Sequence, residues 1–430
     1  MSSFISRNNT YSKIEDLPTG LLYKVTNAFV ISNLGQLKHV TGLIKKEKIN
    51  DCFLLVIYTE ANLSVPRAIH DSFDSSIFDK VLFFKLPNNP NSINFKNIKY
   101  IESSYRKIIH RISPSRLYLN SFQFHYAVLA NISKQLGSSV ILIEEGLGTY
   151  RLSNEECYEN FNSIDSKLLR KISKETLSKT EIFKKLYKRY KMTREFATES
   201  KRFFRKFYLS PEVQCRIINF YPNSNLKSFY KPFLDFDEAY TSFPALTKDK
   251  FNVKKNNYYF SFEEPTIDER QYALSIIEKY NIKPEDYLYL SQKFNINRVE
   301  YLLIVKHSLL RLLEGNDSIV FVKLHPKQEH ELVLQGFLEM EKETQGRIKV
   351  IEESGFLIEE VIKLSKVQGV IGITSSALVY SSLISSECKS YSIADTLVIK
   401  LIDHKRNEKG IAMIKDHTRI LKQFENIQFI

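Results

Sequence analysis

The sequence predicts an α/β protein built from two doubly wound parallel-sheet domains, with a basic helical insertion. Three observations predict it. Short apolar runs rich in β-branched residues, such as Phe53 to Tyr58, Val140 to Ile143 and Ile319 to Val322, read as strands buried on both faces. Each run is followed by a stretch with apolar residues three to four apart, and strands alternating with helices fold into parallel sheets. The alternation occurs twice, over residues 28–143 and 287–373, with a strongly basic stretch of different period between.

In the first series, Phe29 to Ile31 is a strand, Gly35 marks the turn, and a helix runs from Gln36 to Lys46. Phe53 to Tyr58 is the second strand, and a helix follows from Pro66 toward Phe73. Val81 to Leu86 is the third, closed by Pro87-Asn88-Asn89-Pro90-Asn91, a strong loop signal. Ile101, Tyr105 and Ile108 mark a helix. Arg116 to Leu119 is the fourth strand, and a helix then runs to Gly137. Val140 to Ile143 ends in Glu144-Glu145-Gly146. No GxGxxG follows the first strand, so a dinucleotide site is not indicated.

The second series opens with Tyr287 to Leu290, which ends in Ser291-Gln292-Lys293. A helix spans Val299 to Leu313. The next strand runs into Lys323-Leu324-His325-Pro326, where proline stops the ladder because it has no N–H to donate. Leu332 to Lys342 and Phe356 to Leu364 are helical, and Ile348 to Ile351 is a strand. Gly369 to Ile373 is a strand leading into Thr374-Ser375-Ser376 at a helix start. Residues 390–430 read as mostly helical, and the Lys-rich stretch from Thr247 to Asn257 reads as a linker. The expected division is an N-terminal domain over 1–250, with the basic insertion at about 163–208, a C-terminal domain over 251–395, and a helical segment over 396–430 packing back toward the first domain.

Composition narrows the class. With 430 residues, 43% hydrophobic and 13% aromatic, the chain is globular and large enough for two to three domains. Four widely spread cysteines, Cys52, Cys157, Cys215 and Cys388, suit neither a zinc site nor a disulfide framework, and predict a reducing compartment. Met1 to Lys24 lacks the apolar core of a signal peptide, and no apolar run is long enough to span a bilayer. A soluble or peripheral protein of the cytoplasm is expected. The net charge is +13, and between Lys167 and Lys206 fifteen Lys or Arg stand against four Glu, an excess of +11. Such a block seeks a polyanion or an acidic membrane surface, or else is a solvated helical face. Within it, Lys184, Lys185, Lys188, Arg189, Lys191, Arg194, Lys201, Arg202 and Arg205 are the candidate polyanion contacts. The aromatics among them are at spacings that pack a helix, and no RNP or helix-turn-helix pattern points to nucleic acid.

The chemistry-bearing residues lie at predicted strand ends, where open α/β sheets bind ligands. Ser375-Ser376 at a helix N-terminus offers hydroxyls, free N–H groups and the positive end of a dipole to a phosphate; its plainer reading is an N-cap. Lys323 and His325 add positive charge and a titratable imidazole. Glu144-Glu145 before Gly146 suits a general base, one carboxylate raising the pKa of its neighbour; its plainer reading is a solvated turn. A carboxylate and an imidazole so disposed suit sugar transfer from a nucleotide donor. No acidic cluster is placed to hold a metal at the phosphate, so metal-free chemistry and a nucleoside monophosphate donor are expected.

Taken in order, Glu144-Glu145-Gly146, His325-Pro326 and Ser375-Ser376 resemble the motifs of bacterial sialyltransferases of the two-domain GT-B type, two Rossmann-like domains facing across a cleft. More narrowly the chain resembles the capsule polysialyltransferases of glycosyltransferase family 38. Asn33-Leu34-Gly35-Gln36-Leu37, Glu145-Gly146-Leu147-Gly148-Thr149-Tyr150, Ser291-Gln292 and Phe356-Leu357-Ile358-Glu359 add to the likeness, which covers about residues 28–395. The resemblance implies an inverting, metal-independent enzyme that adds sialic acid from CMP-sialic acid to the non-reducing end of a sialylated acceptor, with no cofactor. It implies Glu145 as the base toward the acceptor hydroxyl and His325 as the partner of the departing CMP phosphate. Ser375 and Ser376, with Lys323, would hold that phosphate, and Gln292 and Glu353 the nucleoside. It further implies a polyanionic acceptor held by the basic block, a capsule biosynthesis and export complex, and a peripheral place on the cytoplasmic face of the inner membrane. Two alternatives stand: a monosialyltransferase acting on lipid-linked or lipooligosaccharide acceptors, and a cationic nucleic-acid or membrane binding protein.

Overall fold

The computed structural model describes residues 10–17, 25–91, 95–151, 228–229, 232–262, 265–325, 330–401 and 407–430. These fall into two compact units divided between Ser261 and Phe262. The basic stretch 163–208 and Pro326 lie outside the described residues.

The first unit is an eight-stranded sheet in which every pairing is parallel. Its strands are β1 (Thr10–Tyr11), β2 (Asn27–Ile31), β3 (Cys52–Tyr58), β4 (Lys80–Lys85), β5 (Arg116–Leu119), β6 (Ser139–Ile143), β7 (Asp235–Thr241) and β8 (Asn252–Tyr258). Helices α1 (Leu34–Glu47), α2 (Ser64–Ser72), α3 (Phe95–Ile112), α4 (His125–Gln135) and α5 (Pro244–Lys250) intervene. The order β1-β4-β3-β2-β5-β6-β7-β8 reverses direction between β2 and β5. Successive strand residues point to opposite faces. Val30, Leu55, Leu119 and Leu142 thus pack with Ile101, Tyr105 and Ile108 of α3 and Val128 of α4. Phe29, Ile31, Tyr118 and Ile143 pack on the other face with Leu37, Val40 and Ile44 of α1. All are buried, and each such side chain contributes roughly 1.5–3 kcal/mol. Phe29 stacks on Tyr118, ring centroids 4.2 Å apart, which ties β2 to β5 at the reversal.

The second unit is a six-stranded, all-parallel sheet. It comprises β9 (Tyr287–Leu290), β10 (Val320–Lys323), β11 (Ile348–Ile351), β12 (Gly369–Gly372), β13 (Lys389–Ser392) and β14 (Ile427–Phe429), in the order β11-β10-β9-β12-β13-β14. The helices are α6 (Ile267–Tyr280), α7 (Arg298–Leu312), α8 (His330–Glu343), α9 (Ile358–Ser365), α10 (Ala377–Ile384), α11 (Ala394–Leu401) and α12 (Glu408–Leu421). Tyr289, Val320, Val322 and Ile371 form a core with Val305 and Leu309 of α7, Phe337 of α8 and Ile414 of α12. The direction reverses between β9 and β12. Both parallel α/β sheets predicted from the alternation are present.

Two expectations differ. The Lys-rich stretch read as a linker is the end of α5 followed by β8, an edge strand of the first sheet that pairs with β7. Its lysines are exposed and ion-paired to the neighbouring strand, Lys254 to Asp237 at 2.6 Å, so charge density there marked an edge rather than a break. The domain boundary moves accordingly from residue 250 to 261. The C-terminal stretch expected to be helical contains β13 and β14, which extend the second sheet beyond β12. β13 reads Lys-Ser-Tyr-Ser and β14 Ile-Gln-Phe, so neither stands out as an apolar run.

Two imidazoles are buried in the first unit. Burial pushes His125 down to about 3; the Tyr105 hydroxyl lies 2.9 Å from its Nδ1. Burial lowers His39 to about 4, against an opposing hydrogen bond to the Glu144 backbone and with a smaller push from Lys38. The unfolded chain binds protons at these positions near the ordinary value of 6.5, so the folded state loses stability as pH falls below that value. Urea unfolding followed at about pH 7.5 and about pH 5 is expected to show a loss of about 2 kcal/mol per histidine at the lower pH, reduced in His125→Gln.

Candidate active site

The carboxyl ends of β2, β5 and β6 bring together the polar groups of the first unit. After Ile143 the chain turns through Glu144, Glu145 and Gly146 into a 3-10 turn, Leu147–Tyr150. Gly146 has φ 119° and ψ −155°, a conformation open essentially to glycine alone. The sharp turn separates the two acids. Glu144 is 2% exposed; its Oε2 accepts from the Tyr150 hydroxyl at 2.8 Å and from the Ser242 backbone N–H, so it braces β6 against the end of β7. Glu145 is exposed at the strand end.

Helix α1 supplies the surroundings of Glu145. Asn33 caps it, its Oδ1 accepting from the Gln36 N–H at 2.9 Å. Gln36 returns the bond one residue earlier: its Oε1 accepts from the Ser32 N–H at 2.6 Å and the Ser32 hydroxyl at 3.1 Å. Its Nε2 donates to Glu145 Oε1 at 2.6 Å. The Glu145 carboxyl is exposed by surface area yet crowded by protein atoms on its inner side. That burial raises its pKa, while Gln36, the nearby Arg151 cation and Asn33 oppose the rise. Glu144 is not among the causes: the direction matches the sequence expectation, but lost hydration rather than a paired carboxylate produces it. Arg151 sits 5.5 Å from the Phe122 ring centroid and donates to Gln123. The Tyr126 hydroxyl is buried near Ser32 and Gln36 without a hydrogen bond of normal geometry to either, and burial raises its pKa. The Asn120 amide, one residue past β5, is also buried without a hydrogen-bond partner at either end.

In the second unit the reversal between β9 and β12 is bridged by Gln292, whose Oε1 accepts from the Thr374 N–H at 2.6 Å. Thr374 lies 3.4 Å from His417 Nδ1 of α12 through its hydroxyl. Ser375 and Ser376 are half-buried at the start of α10, and the Ser375 hydroxyl accepts from the Ala377 N–H at 3.3 Å. A pocket of about 200 Å³ is lined by Gln292, Lys293, Phe294, Arg298, Tyr301 and Leu332 among others.

Lys323 and His325, two residues apart at the end of β10, are both half-buried. The Lys323 Nζ lies 4.9 Å from the Phe356 ring centroid; burial lowers its pKa, against the attraction of Glu359. Glu353 follows β11, the outer strand, two strands from the reversal. Its carboxylate is held by Lys279 and by the Tyr280 hydroxyl at 2.5 Å, and these bonds overcome burial to keep its pKa low. The structure therefore gathers Gln292 and Ser375-Ser376 at one strand reversal and places Glu353 apart, in an ion pair with α6. The nine basic candidates between Lys184 and Arg205 lie outside the described residues. Gln36, Tyr126, Thr374 and His417 were given no role from sequence, although Gln36 and Thr374 stood within quoted motifs, and Gln36 also lies three residues after a capping Asn. Among the described residues no three His, Cys, Asp or Glu gather to hold a metal, and no helix is long and apolar enough to cross a membrane.

A family model described as alpha-2,8-polysialyltransferase matches residues 27–394. No curated protein matches the sequence. Among solved structures, UDP-GlcNAc 2-epimerase from Neisseria meningitidis bound to UDP-GlcNAc is 12% identical, with 93% of this chain and 91% of that chain covered at a TM-score of 0.43. A ugt transferase from Siraitia grosvenorii in complex with UDP is 12% identical over 93% and 94% at 0.44, and Acinetobacter baumannii MurG is 10% identical over 94% and 85% at 0.44.

Gly146→Ala tests the turn. A Cβ at φ 119° strains the backbone, so the variant is expected to lose about 1–3 kcal/mol of stability in urea unfolding and to shift the Glu145 carboxyl from Gln36.

Proposed function

Since the chain belongs to the alpha-2,8-polysialyltransferase family, we propose that this glycosyltransferase elongates polysialic acid by transferring sialic acid from CMP-sialic acid to the non-reducing end of a sialylated acceptor, with inversion and without a metal. The observation that supports this most is Glu145: a strand-end carboxylate, open to solvent, with a raised pKa and one oxygen fixed by an amide. A general base works best with a pKa moved toward the operating pH.

On this reading Glu145 takes the proton of an acceptor hydroxyl as that oxygen bonds to the anomeric carbon of the donor sugar. The bond from that carbon to the CMP phosphate oxygen breaks, its electron pair leaving with CMP, and attack from the opposite side inverts the carbon. His325 offsets or protonates the departing phosphate. The Ser375 and Ser376 hydroxyls and the N–H groups at the start of α10 donate to its oxygens. Gln292 orients the nucleoside, and Lys323 adds positive charge at the same strand end as His325. The pairing of Glu353 with Lys279 and Tyr280 favours a bracing role over contact with ribose.

The basic stretch 163–208 would hold the growing polyanion, which carries a carboxylate on every sugar, or rest on anionic lipid at the cytoplasmic face of the inner membrane beside the capsule assembly and export machinery.

Purified protein incubated with CMP-sialic acid and a short fluorescent sialylated acceptor is expected to give a ladder of products; NMR of the product reads the linkage. A single addition supports the monosialyltransferase alternative, and no addition overturns the reading. Glu145→Gln and His325→Ala should each lower transfer by about a hundredfold or more while unfolding at the wild-type urea midpoint. Raising salt from about 50 to about 500 mM should weaken long acceptors far more than short ones, measured as KM against acceptor length.

A further inference from the structure

We infer that Gln36 is a positioning residue for Glu145: its side-chain amide, held at the oxygen by Ser32, binds one carboxylate oxygen and leaves the other for the acceptor hydroxyl. The inference deepens the reading above and rests on Glu145 being the base.

The amide has one usable orientation. Its Oε1 accepts from the Ser32 N–H at 2.6 Å and the Ser32 hydroxyl at 3.1 Å. Turned over, its NH₂ would meet that N–H, donor against donor, and its oxygen would face the Glu145 carboxylate, acceptor against acceptor. Nε2 is therefore the group at 2.6 Å from Glu145 Oε1. Gln36 is 2% exposed, and its own N–H is bound to the Asn33 cap, so neither end of the residue is free to swing. The other oxygen, Oε2, faces Gly148, where even an added Cβ would stand 4.0 Å away. The Gln36 bond thus engages Oε1 and not Oε2, the oxygen on the side of the turn.

The same bond has an electrostatic effect. An N–H donated to a carboxylate favours its ionised form. Among the described residues, the other polar and charged groups near Glu145 are Asn33 at the N-cap of α1, Thr149, whose hydroxyl accepts from the Glu145 N–H, Arg151 beyond the 3-10 turn, Tyr126 on α4, and Glu144 with the neutral His39 that bonds its backbone. Arg151 and Asn33 act in the same direction as Gln36, so removing Gln36 leaves burial less opposed and raises the pKa of Glu145. A base must be ionised to act, so the acid limb of the activity profile moves to higher pH.

Gln36→Met keeps the length and removes both bonds. The acid limb of kcat/KM is expected to move up by about one pH unit, with part of the lost activity recovered at high pH. Gln36→Glu sets a second carboxylate against the first, and the pair should share a proton, moving the limb by about two units. Ser32→Ala, which removes only the hydroxyl anchor, should shift it less and carries the test if Gln36→Met does not fold. An unmoved limb with a uniform fall in rate, or a lowered melting temperature alone, would mean a structural role and overturn the inference. A second readout does not depend on the reaction: the ¹³C carboxyl signal of Glu145 in the full chain, identified by its loss in Glu145→Gln, titrated in wild type and Gln36→Met. An upward shift supports the clamp even if Glu145→Gln keeps transferring sugar, which would overturn only the assignment of the base; an unmoved titration overturns the clamp.

Discussion

A parallel sheet sends every strand out at the same edge, and where the winding direction reverses, the connections leave to opposite faces and open a gap between two strand ends. Each unit of this protein has one such reversal, between β2 and β5 and between β9 and β12. Ligands of open α/β sheets bind at this place. In the first unit the gap is bordered by Ser32, Asn120 and, one strand further, Glu145. In the second it is bordered by Gln292 and Thr374, joined by a single hydrogen bond. The chemistry proposed for the chain follows from this constraint before any individual residue is considered.

What the edge does with its two acids depends on desolvation. Glu144 and Glu145 are adjacent in sequence, but the Gly146 turn sends one into a buried network with Tyr150 and Ser242 and leaves the other at the rim beside Gln36. One carboxylate braces the β6–β7 junction; its neighbour is available for proton transfer. Both acids lie past the end of β6, so the turn at Gly146, not strand alternation, gives the adjacent residues separate roles.

Strands buried on both faces were legible in the sequence because nothing polar interrupts them; β2, β3, β6, β9 and β12 are of this kind. β7 was not, although it lies inside the sheet. Its Asp237 is paired with Lys254 of the adjacent β8 and its Glu238 with Arg116 of β5, two strands away, at 2.7 Å, and such pairing leaves no local trace. Helix α6 was not read from the sequence, although its Thr266 and Glu269 form a capping box. The site motifs were legible as strand ends, since Glu145, His325 and Ser375 each follow an apolar run. The contact of Gln36 with Glu145 spans 109 residues and becomes visible only once β2 and β6 are ordered in the sheet.

The lysine-bearing strand β8 has a bearing on self-association. Among the described residues nothing pairs with its outer side, and an open edge normally invites a second chain to add a strand. Lys254 and Lys255 stand on this strand, paired with Asp237 and Glu238 of β7, and charged side chains held along an edge discourage the flat approach of a second strand.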